Sequence, residues 1–294
     1  MPIRYRRAKI GDIQKTIHLL EPERLLFSPD TWAALPQMLV DLVERGRILL
    51  CIVEDSDSQE PLLLGGSGFL SPSFLSTALH HPDKNLLESA FESELEDRPA
   101  FLNTKQIAAA NRRADLRLFT FFGTPRRIHP YPTLVVGAAL EAWNFLHKGY
   151  QLQELWNVAA NELHAELLSG TGMRLVRHAT VPTGEVNWLF HFTKKDAADN
   201  PSSRPSALLF SPSPRFGFTI PQQQLLELAL LDYSDRQAEA ELKLTSDAVK
   251  KRWRAIYEKI AKVDPNLLAR DSGADRRRAL LQRLRQNLEE LRPW

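Results

Sequence analysis

The chain has one cysteine in 294 residues. A disulfide needs two and a thiolate zinc site more, so both are excluded. Cys51 itself lies in the apolar run ILLCIV, which reads as a buried strand. No apolar run approaches the roughly 18 residues that a membrane span needs, and the basic opening MPIRYRRAKIGD has no apolar stretch behind it of the kind a secretory signal carries. The expected setting is a reducing cytoplasm, with no membrane partner. The eight histidines are scattered, and no His, Asp and Glu set has the spacing of a metal site, so no metal is expected. Glycine is scarce where phosphate chemistry would need it. GGSG at 65–68 lacks the Lys-Ser/Thr that follows in a phosphate-binding loop, and it lies in a strand pattern, where glycine marks a bulge or a close contact.

One-sided charge is also lacking, at a net +2 from 38 basic and 36 acidic residues. The balance is uneven along the chain. Residues 216–294 hold 15 Lys and Arg against 12 Asp and Glu, and within 243–262 the count is seven against two. That local excess points to a polyanion partner.

The organisation is that of two domains. The stretch 194–218 carries four prolines and five serines without sustained periodicity, the composition of an interdomain linker. Upstream, the patterns give a strand at IRYRRA, helices at 11–22 and 30–46, and strands at RILLCIVED and PLLLGGSGFLS. A polar helical stretch over 73–113 follows, then a central strand at LRLFTFFG. The helix over 133–148 is apolar almost all round (Leu134, Val135, Val136, Leu140, Trp143, Phe145, Leu146), which predicts burial on more than one side. Strand LQELWNVA, helix NELHAELLSG and strands MRLVRHA and VNWLFHFT complete an α+β domain.

That order of elements, together with the opening IRYRRAKIGDIQKTIHLLE and the unit NELHAELLSGTGMRLVRHA, resembles the GNAT acetyltransferase family over about residues 3–193. The resemblance implies a coenzyme pyrophosphate site, which the family writes as Arg/Gln, two residues, Gly, one residue, Gly or Ala. Free N–H groups at a helix N-terminus must point at the phosphates there. The corresponding segment, TPRRIHPYPTLVVGAA, has no glycine between Thr124 and Val136, loses amide donors at Pro130 and Pro132, and places Gly137 inside the helix. The motif is absent. Arg126 and Arg127 could still meet an anion, although adjacent loop arginines are more often plain surface residues. Where the family places a tyrosine acid, this chain has His164, which reads as a packing residue. No catalytic residue and no cofactor is therefore expected.

Beyond Phe218 the punctuation becomes regular. TIPQQQLLELALLD is an amphipathic helix with Leu225, Leu228 and Leu231, or Leu226 and Ala229, inward. Ser234 caps a short second helix, and Thr245 caps a third whose first turn holds Asp247, which suits the helix dipole. Two short helices joined by a tight turn, the second basic, form a helix-turn-helix. Residues 218–263 resemble the LuxR-type DNA-binding domain without a gap, through Leu225, Leu228, Ser234, Leu242, Leu244, Thr245, the run Ala248-Val249-Lys250, and IYEKI at 256–260. Asp232 and Lys243 stand where that family has glycine, and Glu239 replaces a small alanine.

On the third helix Val249, Trp253, Ile256 and Ile260 form one apolar stripe, leaving Lys250, Lys251 and Arg254 free to face outward. Asp247 and Ala248 lie near the end that reaches base edges, the lysines suit phosphates, and Arg254 could do either. The DNA-binding candidates are thus Thr245, Asp247, Ala248, Lys250, Lys251 and Arg254. The plainer alternative is a solvated basic face. In the tail, Leu281, Leu284, Leu288 and Leu291 recur at heptad spacing, which fits either a helix packed on its own domain or a dimer contact.

These readings predict a mixed α/β, GNAT-like domain with a central sheet over 1–195, a linker over 196–217, and an all-α helix-turn-helix domain with a C-terminal helix over 218–294. The function they point to is DNA-binding transcriptional regulation, with the first domain a non-catalytic sensor or scaffold. Its partners would be double-stranded DNA, a small-molecule effector and a second copy of the chain. The alternatives are an N-acetyltransferase with a diverged coenzyme loop and a protein-protein adaptor.

Overall fold

The computed structural model describes residues 2–81, 84–123, 132–180, 186–268 and 273–294. The chain divides into two compact units, Met1–His147 with Leu152–Phe210, and Lys148–Gln151 with Ser211–Trp294. The first begins with β1 (Ile3–Arg7), α1 (Ile10–Thr16) and a 3-10 stretch over Ile17–Leu26. The helix expected over 11–22 is α-helical only to Thr16, because Pro22 withholds a donor and restricts the residue before it. Next come α2 (Pro29–Glu44), β2 (Ile48–Asp55) and β3 (Pro61–Phe69). Ser28 caps α2 by accepting the Thr31 N–H, with Pro29 at the first helical position.

The polar stretch that follows is three helices, α3 (Pro72–Leu79), α4 (Leu86–Leu95) and α5 (Thr104–Arg112), and it leads into β4 (Leu116–Phe122). Then come α6 (Pro132–His147), β5 (Leu152–Ala159), α7 (Glu162–Gly170), β6 (Arg174–Thr180) and β7 (Val186–Thr193). The seven strands form one sheet in the order β1-β2-β3-β4-β5-β7-β6, antiparallel except for the β4–β5 pair. One face carries the main core, in which Phe91 meets Phe121 edge-on at 5.7 Å. GGSG is a place of close approach, since a Cβ on Gly66 would collide with the Phe121 ring and one on Gly68 with the Phe101 ring. Helix α6 departs from expectation. It buries Val135, Ala142 and Leu146, while Leu134 is 54% exposed, because α6 covers a sheet on one side only.

The segment expected as a linker is structured in its first half. Thr193 and Asp196 form a capping box at α8 (Lys194–Asp199), and α9 (Ser206–Leu209) follows. Ala197, Leu208 and Leu209 are buried, and Ser206 Oγ donates to the Asn200 carbonyl at 2.7 Å. The Pro and Ser content hid these three apolar anchors.

The second unit holds α10 (Ile220–Leu230), α11 (Asp235–Leu242), α12 (Ser246–Val263), α13 (Gly273–Gln286) and a 3-10 turn over Leu288–Leu291. Helix α10 packs against the other three helices and the last turn. It buries Leu225, Leu226, Ala229 and Leu230, so the second of the two expected phases is the inward one, with Leu225 added. In the tail, Leu280, Leu284, Leu288 and Leu291 are buried within the unit and Leu281 is half-buried. The heptad is not one helix. It breaks at Asn287, where φ is −130° and ψ 63°. Lys148–Gln151 also belongs to this core: the buried Arg292 donates from Nε to the Lys148 carbonyl at 2.8 Å, and its guanidinium lies 5.1 Å from the centre of the Tyr150 ring.

Candidate functional site

Helix α12 is built by its apolar stripe. Val249, Trp253, Ile256 and Ile260 are all buried, at positions spaced by three or four residues. Thr245 caps the helix, its Oγ1 accepting the Ala248 N–H at 3.2 Å. Before it, α11 opens on a capping box of Ser234 with Gln237 and closes at Lys243, whose backbone is left-handed at φ 52° and ψ 48°. This one left-handed residue turns the chain between α11 and α12. The Leu244 N–H then returns to the Glu239 carbonyl at 2.9 Å.

The five basic residues of 244–260 divide into two groups. Arg252 Nη1 donates to the Pro221 carbonyl at 3.1 Å and Lys259 Nζ to the Gly217 carbonyl, so both tie α12 to the start of α10. Lys250, Lys251 and Arg254 are exposed and make no hydrogen bond or ion pair among the described residues. Asp247 is exposed on the first turn, Ala248 is half-buried, and the Thr245 hydroxyl is engaged as the cap. All six candidates thus lie along the N-terminal half of one helix. The tail arginines serve other ends. Arg277 pairs with Asp235 at 2.8 Å and stacks 4.3 Å from the Trp253 ring, whose Nε1 also donates to Asp235. Arg285 pairs with Asp232. These contacts lock α13 onto α11 and α12.

A second feature lies in the first unit, where the sheet parts. Pairing between β4 and β5 ends at Thr120–Asn157, whereas β4 stays paired with β3 as far as Phe122, and β5 with β7 as far as Ala159. Phe122 and Gly123 both have positive φ, 63° and 86°. A bulky residue in that region marks local strain. Beside the parting, a cavity of about 180 Å3 lies between the sheet, α6 and α7. His147 spans from α6 to the sheet: its Nδ1 donates to the Trp143 carbonyl at 2.7 Å, which leaves Nε2 to accept from the Ser67 hydroxyl at 2.8 Å. Asn157 Nδ2 donates to Thr120 Oγ1 at 2.6 Å.

Burial sets the protonation of two groups in the cavity wall. It pushes the Cys51 thiol up to about 12 and the His164 imidazole down to about 4, so both are neutral at pH 7. His164, expected as a packing residue, is buried and lines the cavity. Arg126, Arg127 and the rest of 124–131, the first half of the segment expected to hold the pyrophosphate, lie outside the described residues. Among the described residues no group of three or more His, Cys, Asp or Glu could hold a metal, and no helix is long and apolar enough to cross a membrane. The sequence reading missed Ser67, Thr120, His147 and Asn157. They meet across 80 residues in one pair and 37 in the other, and no local pattern signals such contacts.

No protein-family model matches the chain, and no curated protein matches it in sequence. Among solved structures it is similar to the spermidine N-acetyltransferase SpeG of Vibrio cholerae, at a TM-score of 0.42 and 10% identity, covering 68% of this chain and 99% of that one. A mosquito arylalkylamine N-acetyltransferase-like protein gives 0.40 and 12% over 65% of this chain and 100% of its own. The nucleotide-linked sugar GNAT FdhC gives 0.38 and 10% over 71% and 95%. At these values the likeness assigns no family.

Proposed function

We propose that the chain binds duplex DNA through α12, as a transcriptional regulator whose first unit serves as a sensor or scaffold. The observation that carries this reading is the division of labour on α12: Arg252 and Lys259 are used inside the unit, while Lys250, Lys251 and Arg254 stand exposed, without a hydrogen bond or ion pair among the described residues, on a helix that follows a tight turn. Phosphate neutralisation by such cations supplies most of non-specific DNA affinity. The exposed Asp247 and the adjoining Ala248 occupy the end from which a recognition helix reads base edges. The LuxR-type resemblance of 218–263 points the same way. Fluorescence anisotropy with a labelled duplex tests the reading. The triple variant Lys250→Ala, Lys251→Ala, Arg254→Ala should lose binding while keeping its circular dichroism and melting temperature, and a folded triple variant that binds as well as the parent would end the proposal.

A second reading, an N-acetyltransferase with a diverged coenzyme loop, is favoured by the parting of β4 from β5 and the cavity beside it. Acetyl-CoA would then raise the melting temperature, since a ligand at 100 times its dissociation constant adds about 2.7 kcal/mol to the folded state. No shift at millimolar coenzyme would remove this reading.

A further inference from the structure

We propose that the cavity beside β4 and β5 binds a neutral, largely apolar molecule of one or two rings that carries a hydrogen-bond donor, held by Asn157 Oδ1. Three observations lead there. The lining contains no Lys, Arg, Asp or Glu among the described residues, and a charge taken into such a space unpaired is strongly disfavoured. The walls are largely apolar, with Ala139 and Trp143 from α6 and Leu168 from α7; of the ionisable groups of the wall, Cys51 and His164 are held neutral by burial, and His147 has both ring nitrogens in hydrogen bonds, to Trp143 and Ser67. Size then sets the class. A cavity of about 180 Å3 compares with the ~150 Å3 apolar cavity that accepts benzene.

The polar requirement comes from one atom. Asn157 lines the cavity, its Nδ2 is used on Thr120, and its Oδ1 is buried with no hydrogen-bond partner among the described residues. The nearby Ser67 hydroxyl and His147 ring already satisfy each other. A buried acceptor without a partner carries a desolvation penalty that an N–H or O–H on the ligand removes, so the site selects for a donor. This inference concerns the first unit alone and is independent of DNA binding.

Indole and benzofuran, the same bicyclic frame with and without an N–H, are the probes. Isothermal titration of the full chain without DNA should show saturable binding of indole and about tenfold weaker binding of benzofuran, the range expected for one hydrogen bond to a buried acceptor. Ala139→Phe, which fills the space from α6, should abolish binding, and Asn157→Leu should make the two probes equal. If a variant does not fold, the comparison of the two probes on the parent chain decides alone. Absence of saturable indole binding, equal binding of both probes by the parent, or indole binding that survives in folded Ala139→Phe would overturn the proposal. So would displacement of indole by acetyl-CoA, which would make the cavity a coenzyme site.

Discussion

His164 is a histidine that the fold keeps from being charged. An exposed imidazole titrates near 6.5, whereas burial lowers this one to about 4. Between those values the unfolded chain takes up a proton that the folded chain refuses. The stabilisation is therefore fully present above about pH 6.5 and falls as pH drops toward 4, by about 3 kcal/mol in all at ~1.4 kcal/mol per pKa unit. Urea midpoints at pH 7 and 4.5 should fall further for the parent than for His164→Gln, and an equal fall in both would mean that the histidine is not held neutral. The residue was visible in NELHAELL as a packing histidine at helical spacing. What it packs against was not, because the cavity wall is assembled from β2, β3, β4, β5, α6 and α7, and a spatial neighbour such as Ser67 of His147 lies 80 residues away. Local periodicity reports which face of an element is apolar, never which distant residue meets it.

The turn between α11 and α12 shows how much of an element can be read and what that leaves out. The stripe of Val249, Trp253, Ile256 and Ile260 and the caps Ser234 and Thr245 are local signals, and the structure uses each as expected. Lys243 and Asp232 stand where the LuxR-type pattern has glycine, and both adopt positive φ, 52° and 60°. Both positions take the left-handed conformation without the residue that adopts it at least cost. An L-residue other than Asn or Asp is strained there by about 1 kcal/mol. Lys243→Gly should thus raise stability by ~0.5–1 kcal/mol, read as a higher urea midpoint, and Asp232→Gly by less, since aspartate tolerates the conformation and pairs with Arg285. A lower midpoint for Lys243→Gly would contradict a left-handed turn. The tail marks the opposite limit. Its leucine spacing promised one long seam, but Asn287 ends the helix, and Leu288 and Leu291 reach the core from a 3-10 turn. Spacing alone cannot register a break that depends on where the last turn must pack.

At the scale of the whole molecule the charge is almost balanced, and its meaning lies in how it is placed. The basic excess at 243–262 is partly structural: Arg252 and Lys259 bind backbone carbonyls inside the second unit, as Arg277 binds Asp235. What is left over is Lys243, Lys250, Lys251, Arg254 and Lys262, and three of these, Lys250, Lys251 and Arg254, lie together on the N-terminal half of α12. The mixed sheet of the first unit was legible from alternating strand and helix patterns, but the division of the chain was legible only in outline. Lys148–Gln151, from the middle of the sequence, belongs with the C-terminal helices, and Ser206–Leu209, from the supposed linker, belongs with the sheet. Such assignments follow from tertiary burial of Arg292 against Lys148 and of Leu208 in the first unit, neither of which leaves a local trace. The most direct test of the account is the salt dependence of duplex binding. Each phosphate-neutralising cation contributes roughly 0.9 to the slope of log K against log salt, so replacing Lys250, Lys251 and Arg254 together by alanine should flatten that slope by about 2.7. A parent chain whose duplex binding does not vary with salt, or a folded triple variant with the parent's slope, would contradict the claim that α12 meets DNA.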